Sequence, residues 1–410
     1  MKPGTAKVIN LLFAVYTHRR KLGIQFVIGR AGDLTIGNVM RESNWSVKTC
    51  LSCVDGERGK LLIAGYPIED FATGMSYDEA VRLLWEGIVP GGDAIGSLGR
   101  GFSAAPFALG EVTTLLRLCA MQNAAPIDAL RTAVSLLGAH AKISGSSRED
   151  ALTVVAGMPA IVAAYARLRD ALEPVASRPD FGHSANFLYM LTGTEPGAAQ
   201  ARALETYMIT VIDHGVSAST LVARVTASTG SDLFSAVAGA IGALKGPLHG
   251  GAPGPVRDML REIGEPANAE PYLRAKLVRG ERLMGFGHRD YRVRDPRAGV
   301  LEAAAERLYA TLDGEKRGLY TLARHVERTA LDLLEEHKPG RRLNTNLEFW
   351  VALLLHGVGL SPDLFTPAFA MARSAGWCAH YFEQAQTGRM IQPQTAYVGP
   401  DHRPLTATSL

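Results

Sequence analysis

Two histidines stand between glycines. His249 lies in Gly246-Pro247-Leu248-His249-Gly250-Gly251-Ala252-Pro253, just ahead of a helical run over residues 256–263. His288 lies in Met284-Gly285-Phe286-Gly287-His288-Arg289, followed by Asp295-Pro296-Arg297. Glycine on either side of a histidine lets backbone come close to a ligand and leaves the imidazole free to meet it. The same pattern also fits a pair of turns whose histidines face solvent. A carboxylate, Glu348, ends Thr345-Asn346-Leu347-Glu348 before an apolar run. By residue type alone this is a capping box, with Glu348 reaching back to the first amides of a helix. Cys50-Leu51-Ser52-Cys53 is a lone C-x-x-C with no second pair near it, so a zinc or redox role is the minor reading.

Helices must position these groups. Alanine and leucine dominate, aromatics make up 7% of the chain, and alternating strand patterns are scarce. Residues 77–85, 127–137, 203–212 and 298–312 carry apolar side chains at helical spacing with charges between them. Residues 61–63, followed by Gly65-Tyr66-Pro67, read as a short strand and a turn. The longest loop-like stretches are 91–106 and 172–179. Glycine and proline cluster at 246–255, 285–296 and 357–362, and the region between the first and last is shifted toward charge. A second, smaller helical domain over 251–350 fits usual domain sizes.

The 410 residues are enough for two or three domains, and the four cysteines are too few for a disulfide framework. Lys+Arg 43 against Asp+Glu 40 leaves a formal charge of +3, which speaks against a nucleic-acid protein. No apolar run approaches the roughly 18 residues that span a bilayer, so no membrane partner is expected. Six Lys or Arg residues precede the first acid, Asp33, around the apolar block 9–16. No signal-type cleavage site follows that block, and residues 1–45 read as an extension of unclear role.

The two histidine segments, 246–252 and 285–297, resemble signature segments of the citrate synthase family. Residues 207–229, with Asp213-His214, resemble the family's conserved helix. Residues 344–380, containing Ala372-Arg373-Ser374-Ala375-Gly376-Trp377, resemble the segment bearing its catalytic carboxylate. The likeness runs in order and spacing from about 47 to 400. It implies a mainly α, two-domain helical fold with the active site in the cleft. The large domain would take 46–250 and 351–410, the small one 251–350.

It further implies condensation of acetyl-CoA with oxaloacetate by a cytoplasmic homodimer, with no permanently bound cofactor and no metal. Acyl-CoA would be a co-substrate. His249 would hold the thioester oxygen and His288 would polarise the carbonyl of the 2-oxo acid. Arg297 and Arg373 would clamp carboxylates, for which guanidinium forks are suited, and His214 would add a polar contact. Gly285, Phe286 and Gly287 would lie along CoA, and Arg292 would meet a CoA phosphate.

Two positions depart from the family pattern. Glu348 stands where an aspartate base is expected, and one extra methylene shifts the oxygens by about 1 Å, a displacement able to cost ~10²-fold in rate. Gln392 stands where an arginine normally reaches into the partner's active site. Arg389, three positions earlier, is a candidate to compensate. The rival expectations are a 2-methylcitrate synthase using propionyl-CoA, a synthase with another 2-oxo acid, and a paralogue that binds CoA or a partner without turnover.

Overall fold

The computed structural model describes residues 47–90, 109–140, 148–250 and 253–400, and the fold belongs to the compact unit beginning at Thr49. A three-stranded antiparallel sheet opens it, in the order β1 (Ser52–Asp55), β2 (Lys60–Ile63), β3 (Tyr66–Pro67). Ser52 pairs with Ile63, Asp55 with Lys60, and Leu62 with Pro67. Leu61 and Ile63 are buried while Lys60 is exposed, the two-residue period of a sheet with one face on a core. The expected turn occupies Ala64 and Gly65, and Tyr66–Pro67 adds a third strand beyond it.

The rest is helical. α1 (Ile68–Gly74), α2 (Tyr77–Trp85), α3 (Leu109–Met121), α4 (Pro126–His140) and α5 (Arg148–Arg169) come first. α6 (His183–Thr192), α7 (Ala198–Thr210), α8 (Ala218–Ser228) and α9 (Leu233–Leu244) follow. Then come α10 (Pro253–Ile263), α11 (Ala269–Val278), α12 (Pro296–Tyr309), α13 (Gly314–His337), α14 (Leu347–Gly357) and α15 (Phe365–Thr387). The four helices expected from periodicity fall on α2, α4, α7 and α12. α2 shows why such a segment folds: Ser76 and Glu79 form a capping box, and Tyr77, Val81, Leu84 and Trp85 turn inward. Residues 172–178 are irregular, as expected. The extension 1–45 and the loop 91–106 lie outside the described residues.

α15 is the centre of the core. It is buried along almost its whole length, and it packs on α5, α8 and α9. A helix apolar on all sides belongs in an interior. α5 is of the same kind. Length and composition alone would let it cross a membrane, but 78% of its most apolar window is covered by other helices. Farther along the chain α12 packs on α14, α11 on α13, and both α12 and α14 reach back to α7. These contacts bring the ends of α12 and α14 to the loop that leaves α7.

Candidate active site

Asp295 caps α12, accepting Arg297 N at 3.0 Å. Its carboxylate also takes Arg297 Nε at 3.0 Å and Nη2 at 2.8 Å, so the guanidinium is held rigidly although both residues are buried. Burial works against the Arg297 charge, and Asp295 outweighs it. Arg297 Nη2 also comes within 3.3 Å of His288 Nε2. His288 Nδ1 accepts the backbone N–H groups of Asp290 at 3.0 Å and Tyr291 at 3.3 Å. Arg297 Nη2 can only donate, but the two backbone donors on Nδ1 outweigh that single 3.3 Å approach to Nε2, so a neutral ring carries its proton on Nε2. Burial first, and Arg297 second, push His288 below the usual imidazole range, which keeps it neutral. Two donors thus face one spot, while Asp295 Oδ2 is 3.9 Å from Nε2. A carbonyl oxygen fits between them.

His214 completes this wall. Its Nε2 lies 3.0 Å from the Tyr291 hydroxyl, and its ring centroid is 5.9 Å from that of His288. Burial, Arg297 and Arg373 hold it well below its ordinary range. Tyr291 packs against both histidines, and sequence reasoning did not single it out. Only its place three residues after His288 could have pointed to it.

His249 rests in a turn closed by its own N–H to Gly246 O at 2.9 Å. Trp377 Nε1 donates to Ser219 Oγ at 3.2 Å, and Ser219 Oγ is 2.8 Å from His249 Nε2. The Ser219 N–H points at the same nitrogen at 3.4 Å. Nε2 is therefore the acceptor, and Nδ1 carries the proton with which this ring can grip an oxygen. Burial and then Arg373 lower its pKa, so this histidine too is a neutral donor.

Glu348 is not the capping residue that its sequence context suggests. Asn346 caps α14, accepting Glu348 N at 3.0 Å, so Glu348 falls one position too early for a capping box, and Thr345 Oγ1 is buried without a partner. The Glu348 carboxyl makes no hydrogen bond or ion pair with any described residue. Burial, partly offset by Arg297, raises it to about 7. An unpartnered carboxyl poised near neutrality has the properties of a general base.

The glycine segment sets where α14 begins. Gly287 N donates to Asn344 O at 2.7 Å, Asn346 N to Gly285 O at 2.9 Å, and Asn346 Nδ2 to Gly287 O at 2.7 Å. Gly285 has φ +88°, and a Cβ there would sit 2.9 Å from the Phe349 side chain. Only glycine fits this approach.

Arg373, buried in α15, donates to Val211 O at 2.5 Å. Burial lowers it to about 10, with Arg297 adding repulsion and Asp213 opposing both. Its charge is felt by His249 and His214, and Glu348 and Arg297 feel one another. His288 touches both His214 and Arg297, Arg373 and Glu348 each act electrostatically on Arg297, and His249 is tied to the group through Arg373. A cleft of about 620 Å³ opens at His214, and Arg289, Asp290 and Arg292 line its mouth. Arg292 is 60% exposed there. Gln392 lies elsewhere, exposed on the irregular stretch after α15. Cys50 and Cys53 are free and exposed, and no cluster able to hold a metal ion exists among the described residues.

Neutral imidazole donors, two buried guanidinium groups and an isolated carboxyl, set in a helical fold, are groups able to polarise a carbonyl, bind carboxylates and take up a proton. Comparisons make this specific. Residues 41–394 match the family "Citrate synthase, C-terminal domain". "Citrate synthase 2" of Bacillus subtilis is 40% identical over 346 residues, 83% of this chain and 91% of that protein. "2-Methylcitrate synthase" of Mycobacterium tuberculosis is 40% identical over 367 residues, 88% and 90% of the two chains.

The crystal structure of citrate synthase from Pyrobaculum aerophilum superposes with TM-score 0.79 at 35% identity, covering 90% of this chain and 94% of that one. A Thermoplasma acidophilum citrate synthase, solved as a ternary complex of carboxymethyl coenzyme A and "oxalateacetate", superposes with TM-score 0.79 at 27% identity, covering 89% and 97%. The chain belongs to the citrate synthase family. It is a citrate synthase-type condensing enzyme with the mainly helical fold expected from its sequence.

Proposed function

We propose that the enzyme condenses acetyl-CoA with oxaloacetate, giving citrate and CoA, and that His249, His288 and Glu348 carry the reaction. Glu348 takes a proton from the carbon beside the thioester while His249 Nδ1–H stabilises the charge on the thioester oxygen. The carbon that lost its proton attacks the 2-oxo carbonyl carbon, and the alkoxide that forms beside His288 Nε2–H and Arg297 takes a proton from water to become the hydroxyl. Water then cleaves the thioester, leaving a carboxylate and the free thiol of CoA.

Arg297, Arg373 and His214 bind the 2-oxo acid. Gly285, Phe286, Gly287 and Arg292 lie toward CoA. The observation that carries this reading is the pair of converging donors at His288 and Arg297, with an unpartnered carboxyl that senses the same guanidinium. It supports turnover over a binding role alone.

Residues 46–250 with 351–410 form the large domain and 251–350 the small one, whose closure would exclude water from the enol. The stretch 389–400 exposes Met390, Tyr397 and Val398, which supports a homodimer in which it covers the partner and brings Gln392 to the partner's cleft. The working compartment is the cytoplasm.

Equal identity to a 2-methylcitrate synthase keeps propionyl-CoA as the second reading. One methylene changes pocket binding by only ~1–3 kcal/mol. Thiol release from acetyl-CoA and propionyl-CoA, each with a panel of 2-oxo acids, tests both. Fastest release with acetyl-CoA and oxaloacetate is expected. Faster release with propionyl-CoA would establish the second reading, and none with any pair would overturn both.

A further inference from the structure

A chain of buried polar groups runs behind the catalytic loop, and the reaction does not use it. Asp213, fully buried, precedes His214. Its Oδ1 lies 3.1 Å from His380 Nε2, and its Oδ2 accepts the Ser52 hydroxyl of β1. Ser52 Oγ in turn accepts Gly215 N–H at 2.7 Å. On the far side, Arg224 Nη1 lies 2.9 Å from His380 Nδ1. Arg224 only donates, so Nδ1 accepts and the ring proton is on Nε2, directed at Asp213. Arg224 also pairs with Glu383, whose Oε1 accepts Cys50 N at 2.7 Å and the Thr49 hydroxyl at 3.2 Å.

The chain therefore fastens residues 49–52 in two places, Ser52 to the loop at Asp213 and Gly215, and Thr49 and Cys50 to Glu383 of α15. α15 comes close enough for this because position 376 is glycine: a Cβ there would lie 2.3 Å from Ile212 O and 3.1 Å from Asp213 Oδ1. The segment it holds, residues 213–219, carries His214 in the loop and Ser219, the partner of His249, in the first turn of α8.

We infer that Arg224, His380, Asp213 and Ser52 are positioning residues, a buried relay that fixes the loop 213–217 leading into α8 and through it the placement of His214 and His249. The inference rests on the roles proposed for those two histidines. Burial of so many polar groups is tolerable only when each is paired, so the relay has one arrangement and imposes it on the loop. The residues proposed to lie toward CoA, 285–287 and Arg292, share no hydrogen bond with the relay residues. Loosening the relay should therefore lower kcat while leaving the KM for acyl-CoA nearly unchanged.

Ser52→Ala removes the hydroxyl shared by Asp213 and Gly215 at a partly exposed site with little risk to folding. Its kcat is expected to fall on the order of tenfold, about the worth of one well-formed hydrogen bond. His380→Phe severs the relay at its centre, and a displacement of about 1 Å at the histidines corresponds to a ~10²-fold loss. His380→Gln keeps a donor and an acceptor and is expected to recover most of that rate. Histidine ring signals in ¹⁵N-labelled full-length protein read the loop without turnover. His214 and His249 should shift in Ser52→Ala and in folded His380→Phe.

If Ser52→Ala keeps both its kcat and its ring signals, the relay does not position the loop, whether or not His380→Phe folds. If the unaltered protein releases no thiol, the proposed reaction fails instead. The ring signals then still decide whether the relay holds the loop.

Discussion

Glu348→Gln separates the two roles open to this residue. The change keeps the side chain's shape while removing its charge and its proton site. Burial raises the carboxyl from 4.5 to about 7. Between those values the folded state holds a proton that the unfolded chain has released, so stability falls as pH rises through this window and the full penalty applies above it. At about 1.4 kcal/mol per decade the penalty approaches ~3 kcal/mol, and screening by water in the cleft leaves about 1–3 kcal/mol.

The Gln variant is therefore expected to be more stable than the unaltered protein by that amount near pH 8, with the difference vanishing toward pH 4.5, as read from urea melts across the range. The same variant lacks a base, and its kcat should fall by ~10²-fold or more. In the unaltered enzyme kcat should rise with pH up to about 7, as the carboxyl loses its proton, and then level off. An isolated, half-buried base at this position is refuted if Glu348→Gln is no more stable near pH 8, or if it turns over within about threefold of the unaltered enzyme.

Three further outcomes are expected. Asn346→Ala removes the cap of α14, which should cost ~1 kcal/mol in thermal or urea melts and reduce kcat, because Glu348 sits on the first turn. Gly285→Ala forces a Cβ against Phe349 at positive φ, so a loss of ~1–3 kcal/mol is expected, with a raised KM for acyl-CoA in steady-state assays. Gln392→Arg should lower the KM for oxaloacetate if that residue reaches the partner's cleft. An unchanged KM would leave Gln392 outside the site.

Much of this was legible in the chain itself. Helical periodicity located α2, α4, α7 and α12, because α2, α4 and α12 each bury one stripe on their neighbours and α7 does so until its last turn, which is buried on all sides. The glycines beside His249 and His288 marked the turns that present them. Pairing across distance was not legible. Ser76…Glu79 and Thr345…Glu348 have the same S/T-x-x-E spacing, yet only the first forms a capping box. At the second, residues 285–287 bind Asn344 and Asn346, which moves the cap to Asn346 and leaves the Glu348 carboxyl without a hydrogen-bond partner among the described residues. Nothing local to residues 345–348 reports a partner about sixty positions earlier in the chain. His380 and Arg224 escaped notice for the same reason. Arg224 meets His380, and His380 meets Asp213, only because α8 and α15 pack together. α5 is a milder case, since its apolar length reflects an interior position that composition cannot distinguish from a membrane span.

Proton removal beside the thioester is the step on which all the others depend, and exchange of that proton reads it directly. Acetyl-CoA incubated in heavy water with the enzyme, and with an unreactive dicarboxylate filling the 2-oxo acid site, should gain deuterium in its methyl group. Glu348→Gln and His249→Ala should abolish the gain. Exchange that persists undiminished in Glu348→Gln would contradict the assignment of the base, as would its absence from an unaltered enzyme that releases thiol.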